Sequence, residues 1–128
     1  PLAVTAGIET QKQMMAITHF DEILEKKTAS LLEGWKEAAD KAGVPLICHQ
    51  SGSMFGIFFS EKEVLNYPDA CEANAAQFKA WFLSMLDQHI YLAPSPFETL
   101  FMSYAHSDED IEKTIEADKE AMEAAAKA

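Results

Sequence analysis

The chain has 128 residues, of which 48% are hydrophobic and 24% are charged, and its formal net charge is −11. This composition is typical of one soluble globular domain, and the negative charge argues against nucleic acid or an anionic membrane as a partner. No apolar run approaches the roughly 20 residues that a membrane-spanning helix needs.

Two helices are predicted in the first third of the chain. Residues 2–17 fit a helix with apolar positions at Leu2, Ile8 and Met15 and a mixture of polar and small residues elsewhere. A second helix is predicted from Phe20 to Ala42, because apolar residues recur there every three to four positions. Gly43 is placed to cap its C-terminal end, and Pro45 just beyond cannot continue a helix.

A β-hairpin is predicted after these helices. Leu46 to Gln50 is short and begins with apolar residues, and Met54 to Ser60 is rich in aromatic and β-branched residues. Gly52-Ser53 between them is typical of a turn. Gly56 within the second strand predicts a bulge or a closely approaching neighbour.

Between the hairpin and the last helix the predicted elements are shorter. Residues 66–69 are expected to form a loop around Pro68, followed by a helix from about Asp69 or Glu72 to Gln88. Residues 90–92 and residues 99–104 are both predicted to be strands.

The last helix has the clearest start. Ser107 is a favourable N-cap, and the three acidic residues after it suit the positive end of the helix dipole. The alanine-rich end of the helix, after Glu123, is expected to fray. The predicted inner face consists of Ile111, Ile115, Met122 and Ala125.

This order of elements predicts an α+β fold. We expect a small sheet of three to four mainly antiparallel strands, with helices packed on one face.

Glu98 is the sharpest candidate for a functional side chain. It follows Phe97 and precedes Leu100 and Phe101, so it is a lone carboxylate in an apolar run. As a buried acid it could hold a cationic group or relay a proton. The alternative is that it points from a loop into water, and the residues alone leave both interpretations open.

Other reactive side chains give weaker signals. His106 precedes a helix N-cap and is expected to fix the turn. The histidines and the two cysteines, Cys48 and Cys71, lack the spacing of metal ligands, so neither a metal site nor a disulfide is predicted. Two unpaired cysteines favour a reducing compartment, and we expect a cytoplasmic location.

Four segments together resemble one enzyme family. Residues 1–10, 41–60, 66–98 and 103–117 resemble, in one register, the C-terminal part of the glutamate-1-semialdehyde 2,1-aminomutases, which belong to the class III aminotransferase group. The stretches GSMFGIFF, YLAPSPFE and AHSDEDI are specific in combination.

The resemblance implies the small C-terminal domain of a fold type I pyridoxal-phosphate enzyme that acts as a homodimer. Such an enzyme converts glutamate 1-semialdehyde to 5-aminolevulinate for tetrapyrrole biosynthesis. Residues 1–18 would be the remnant of an interdomain helix, and residues 19–128 would be the small domain. The partner implied for this chain is a large N-terminal domain of the same protein.

The resemblance also implies where the chemistry lies. The Schiff-base lysine and the pyridoxal phosphate site belong to the large domain, so this chain is expected to hold no catalytic, cofactor-binding or metal-binding residue and to be inactive alone. Glu98 matches the family's APSxFE motif at the mouth of the active site. Ser53 and Met54 are further candidates for lining the substrate cleft.

The lack of arginine is consistent with this resemblance. All ten basic residues are lysine, whereas many related aminotransferases bind a substrate α-carboxylate through an arginine of the small domain. Two alternatives remain open: the small domain of another class III aminotransferase, and a non-enzymatic α+β interaction domain of the same ancestry.

Overall fold

The computed structural model describes all residues from 1 to 128, in five helices and one three-stranded antiparallel sheet. The helices are α1 (Leu2–Ala16), α2 (Phe20–Ala42), α3 (Tyr67–Cys71), α4 (Ala75–Asp87) and α5 (Asp108–Ala125). The strands are β1 (Ile47–Ser51), β2 (Met54–Phe58) and β3 (Leu100–Phe101), in the order β1-β2-β3. The predicted α+β fold is confirmed. None of the helices combines the length and the apolar character of a membrane span.

The core lies between the sheet and helices α2, α4 and α5. Phe55 and Ile57 of β2 are buried against the helices. Trp35 of α2 packs edge-on against Trp81 of α4, with 5.3 Å between ring centroids, and also against Phe55. Helix α5 packs against both α2 and α4. Helices therefore cover one face of the sheet, as predicted.

Helix α2 matches its predicted bounds. Gly43 ends it in the left-handed conformation at φ 71°, which glycine adopts at no steric cost. A second glycine, Gly34, sits where α2 meets α5. A Cβ built on Gly34 would lie 2.7 Å from both Cγ atoms of Ile115. The absence of a side chain therefore permits the close approach of the two helices.

The hairpin matches its prediction within one or two residues. Its turn is at Gly52, with φ 60°. The register runs unbroken from the Ile47–Phe58 pair to the Ser51–Met54 pair, and Gly56 lies opposite His49. The predicted bulge is therefore wrong, and a Cβ at Gly56 would make only ordinary contact with the Phe58 ring.

Two asparagine caps correct the prediction for residues 66–88. Residues 67–71 form helix α3 instead of a loop, because the Asn66 side chain accepts from the Asp69 backbone N–H and Pro68 suits the first turn. Helix α4 begins at Ala75, later than predicted, because Asn74 accepts from two backbone N–H groups and starts a new helix.

The strand predictions between residues 90 and 104 were mostly wrong. Residues 90–92 form no strand, and the side chains of Ile90 and Leu92 pack against the core instead. Of residues 99–104 only Leu100 and Phe101 are paired, with Phe55 and Met54. The Met102 N–H still donates to the Ser53 carbonyl in the hairpin turn, and residues 103–107 then lead to helix α5.

The two terminal helices form as predicted but differ in packing. Helix α5 starts with a capping box between Ser107 and Asp110. It stays helical to the fully buried Ala125, and residues 126–128 after it are exposed; fraying of this end stays a prediction. Helix α1 has no buried residue, and its Leu2 side chain is 86% exposed. An apolar helix without a packing partner within the chain is suited to contact with further protein.

Candidate functional site

The face of the sheet opposite the helices carries a cleft of about 500 Å³. Met54 and Phe58 point to this face, because Phe55 and Ile57 between them point into the core. His49 packs edge-on against Phe58 on the floor of the cleft. Tyr67 and Phe97, 5.7 Å apart between ring centroids, form one wall. The cleft is therefore lined by aromatic and aliphatic side chains together with polar residues such as Gln50, Asn66 and Thr99.

The three predicted cleft residues lie at or beside this cleft. Met54 lines it and is 44% exposed. Ser53 is half-buried in the hairpin turn, where its backbone carbonyl accepts a 2.8 Å hydrogen bond from the Met102 N–H. Glu98 lies between Phe97 and Thr99, which both line the cleft, although Glu98 itself does not.

The Glu98 side chain is exposed to solvent. Its backbone N–H donates to the carbonyl of Ser95, which closes the turn around Pro96. A buried carboxylate, the first of the two interpretations, is therefore wrong for this chain. The side chain is free to contact a group outside the chain, and its role at a substrate cleft stays a prediction.

The lysines of this chain do not form a pyridoxal phosphate site. Nine of the ten have exposed side chains. The tenth, Lys27, donates to the backbone carbonyl of His106 and lies 3.8 Å from the carboxylate of Asp108. Such a site needs a desolvated lysine for the Schiff base and several donors for the phosphate. The residues present do not fit the cofactor on their own.

His106 fixes the turn before α5, as predicted. Its Nδ1 accepts a 3.1 Å hydrogen bond from the Ser103 backbone N–H, and its carbonyl accepts from Lys27. The two cysteines are free. Burial raises the pKa of the Cys48 thiol to about 11, which makes it a poor nucleophile at neutral pH. No three His, Cys, Asp or Glu side chains converge as metal ligands.

Asp118 is the one buried acid, and the sequence pattern alone did not identify it. It is fully buried in the core, where Trp81 Nε1 donates a 2.6 Å hydrogen bond to its Oδ1. Burial raises its pKa to about 7, and the Trp81 hydrogen bond opposes that shift. The helical spacing could have indicated its burial. Asp118 lies three residues after Ile115 and four before Met122, and both of these are on the predicted inner face of α5.

This chain is similar in sequence to one segment of proteins named glutamate-1-semialdehyde 2,1-aminomutase. No protein-family model matches it. It is 48% identical over 125 residues to the glutamate-1-semialdehyde 2,1-aminomutase of Chlorobium limicola, covering 98% of this chain and 29% of that protein. It is 42% identical over 123 residues to glutamate-1-semialdehyde 2,1-aminomutase 2 of Oceanobacillus iheyensis, covering 96% of this chain and 28% of that protein.

A solved structure shares the fold. The FumI protein of Sphingopyxis sp. MTA144, whose structure is of the pyridoxal-phosphate internal aldimine form, matches with a TM-score of 0.65 and 24% identity. The match covers 86% of this chain and 24% of that protein. The chain thus spans well under a third of the length of the proteins it matches. Over nearly its whole length, it is a homologue of one segment of the glutamate-1-semialdehyde 2,1-aminomutases, the family that its motifs indicated.

Proposed function

We propose that this chain is the small C-terminal domain of a pyridoxal-phosphate-dependent aminomutase that converts glutamate 1-semialdehyde to 5-aminolevulinate. The observation that carries the proposal is 42% to 48% identity, over almost the whole chain, to proteins of that name. The whole enzyme would be a cytoplasmic homodimer in tetrapyrrole biosynthesis.

In this proposal the chain supplies one wall of the active site and the rest of the protein supplies the cofactor. The lysine distribution supports this division, since no lysine here is buried and free of partners. The open face of the sheet supports it as well. Phe101, which pairs with Met54, is 63% exposed, and Tyr67 and Phe97 are exposed at the cleft. An apolar surface of this kind is typical of a face that other protein covers.

Residues 1–18 would connect this domain, residues 19–128, to the large domain. Helix α1 has apolar side chains but buries none of them within the chain. A large domain packed against it would remove Leu2 and Met15, both more than 80% exposed, from water.

Glu98, Ser53 and Met54 are the residues proposed to face the substrate. Met54 would contribute an apolar contact, and the Ser53 hydroxyl a polar one. The Glu98 carboxylate can accept hydrogen bonds from an amino group or from polar side chains of the large domain. The chain has no arginine to bind the substrate carboxylate, so that group would be held by the large domain.

A chimera tests the proposal. The matching segment of the Chlorobium limicola aminomutase is replaced by this chain, and 5-aminolevulinate formation from glutamate 1-semialdehyde is measured. We expect the chimera to be active and the 128-residue chain alone to be inactive. The matched control is the same chimera with the corresponding segment of the FumI protein, which shares the fold at 24% identity with this chain.

The proposal fails on either of two results. One is a soluble chimera that binds pyridoxal phosphate but forms no 5-aminolevulinate. The other is activity no higher than that of the FumI control. Conversion of glutamate 1-semialdehyde by the isolated chain would contradict the proposal that the large domain supplies the cofactor site.

A further inference from the structure

Strand β1 forms a free edge of the sheet, because it pairs only with β2. Ser51 and Met54 flank the two-residue hairpin turn and form a hydrogen-bonded pair. Pairs of this kind alternate along an antiparallel ladder, so Cys48 and Gln50 direct their backbone N–H and C=O groups away from β2. No hydrogen bond of a turn, loop or cap involves these backbone groups. They are therefore available to another strand.

This edge lacks the features that usually protect a free strand. Natural proteins blunt such an edge with a very short strand, a bulge, a proline or lysines. The opposite edge fits this rule, since β3 has only two residues. Strand β1 has five residues, ICHQS, without proline or lysine, and its register with β2 is unbroken. Its last three residues are exposed. An unprotected edge of this length is suited to pairing with a further strand.

The charge distribution favours a second copy of the chain as the source of that strand. The net charge of −11 opposes the approach of two copies over most of their surface. No charged residue lies between Lys41 and Glu61, a segment that includes the whole hairpin. Two copies can therefore meet at this edge without bringing like charges of the hairpin together.

Strand β1 is also complementary to itself. In an antiparallel pair centred on His49, Cys48 of each copy lies opposite Gln50 of the other. Each outward N–H group then meets an outward C=O group, and the arrangement has the two-fold symmetry that is commonest in protein dimers.

We propose that two copies of this chain associate through antiparallel pairing of their β1 strands, which joins the two three-stranded sheets into one. The two His49 residues face each other at the centre as a non-hydrogen-bonded pair, in which the Cα atoms are about 4.5 Å apart. The inference does not depend on the aminomutase activity or on the homodimer proposed for the whole enzyme.

Amide hydrogen exchange tests the pairing in the unsubstituted chain. The ¹⁵N-labelled 128-residue chain is followed by NMR at about 20 µM and about 1 mM, with sedimentation at the same concentrations. We expect a monomer–dimer equilibrium and slower exchange of the Cys48 and Gln50 N–H groups at the higher concentration. The His49 and Ser51 N–H groups bond to β2 within the chain. Their exchange should be slow at both concentrations, which makes them the internal control.

A charge at position 49 tests the symmetry of the pair. Lysine or glutamate there places like charges opposite each other across the two-fold axis. His49→Lys and His49→Glu should therefore each raise the dissociation constant of the dimer about fivefold or more. Two controls should leave it within about twofold. His49→Gln changes the same residue without adding a charge, and Ser30→Lys adds a charge at an exposed position of α2.

Three results would each overturn the proposal. The first is a chain that stays monomeric up to about 1 mM, which would leave the edge to a strand from elsewhere in a longer protein. The second is a dimer in which the Cys48 and Gln50 N–H groups exchange as fast as in the monomer, which would indicate association through another surface. The third is opposite effects of lysine and glutamate at position 49, as expected if net charge alone controls association. The first two results come from the unsubstituted chain, so they do not depend on whether the variants fold.

Discussion

Trp81 and Asp118 form a hydrogen bond of 2.6 Å inside the core, which joins helix α4 to helix α5. Both side chains are almost completely buried, and the second carboxylate oxygen of Asp118 has no partner. One donor does not compensate the loss of water around an ionised carboxylate. The protonated acid is therefore favoured in the folded chain, and the pKa of Asp118 rises to about 7.

This pair makes stability depend on pH. An aspartate in the unfolded chain titrates near 3.8, whereas folded Asp118 titrates near 7. The folded state thus binds the extra proton between these values, and the free energy of unfolding falls as the pH rises from 3.8 to about 7. The whole effect is on the order of 4 kcal/mol.

Asp118→Asn isolates this contribution. Asparagine keeps an acceptor for Trp81 but does not ionise, so the variant should lose that part of the pH dependence. Urea unfolding of the two proteins at pH 4, 5.5 and 8 provides the comparison. The unfolding free energy of the variant minus that of the unsubstituted protein should increase as the pH rises. Parallel profiles would show that Asp118 does not titrate in this range.

Gly34→Ala should destabilise the domain. Alanine has the higher helix propensity, by about 1 kcal/mol. Its Cβ would nevertheless lie 2.7 Å from Ile115, a β-branched side chain with little freedom to move. Overpacking of this kind costs about 1–3 kcal/mol, and chemical denaturation should show a net loss of stability.

Two further variants control for other causes. Gly7→Ala makes the same change in α1, where nothing lies within 4 Å of the new Cβ, and should cause no loss. Ile115→Ala removes both clashing Cγ atoms, so the Gly34→Ala change should be much less harmful in that background. Equal losses in both backgrounds would refute the steric explanation.

Ser107→Ala should weaken the start of α5. The Ser107 hydroxyl accepts from the Asp110 N–H and donates to the Asp110 carboxylate. Loss of an N-cap costs about 1 kcal/mol. The same substitution at Ser30, exposed in the middle of α2, should be neutral or slightly stabilising.

The pKa of Asp110 gives a separate measurement of the same cap. The Ser107 hydrogen bonds hold this pKa below its ordinary value. Their stabilising contribution is present above the unfolded pKa and is lost as the pH falls through the folded pKa. In Ser107→Ala the pKa of Asp110, followed by NMR titration, should therefore rise. An unchanged value would contradict the capping box.

Glu98→Gln should reduce activity in the chimera without affecting the fold. The side chain is exposed and has no ion-pair partner in the chain, so we expect a change in stability within about 0.5 kcal/mol. Loss of the carboxylate should lower kcat/KM by about tenfold or more, as expected for a lost charged hydrogen bond. Glu120→Gln, exposed on α5, is the matched control. Equal activity of the Glu98→Gln and Glu120→Gln chimeras would show that Glu98 has no role in the substrate site.

The sequence alone determined the elements whose signals are local. Gly43, the Gly52 turn and Ser107 mark ends of α2, the hairpin and α5, and each predicted boundary is confirmed within two residues. These signals act through backbone conformation and nearby hydrogen bonds, so they do not depend on distant partners. The motifs that indicated the aminomutase family were also identified from the sequence alone.

Only the tertiary structure decided the features that depend on distant residues. The strand predicted at 99–104 ends at Phe101 because Phe101 pairs with Met54, the first residue of β2, and the residues after it come opposite the hairpin turn. Asp118 is buried because α4 places Trp81 against it, and Glu98 is exposed in the turn that its backbone N–H closes with the Ser95 carbonyl. Burial of a side chain follows from which surfaces meet, and residue spacing along one element does not specify its partner.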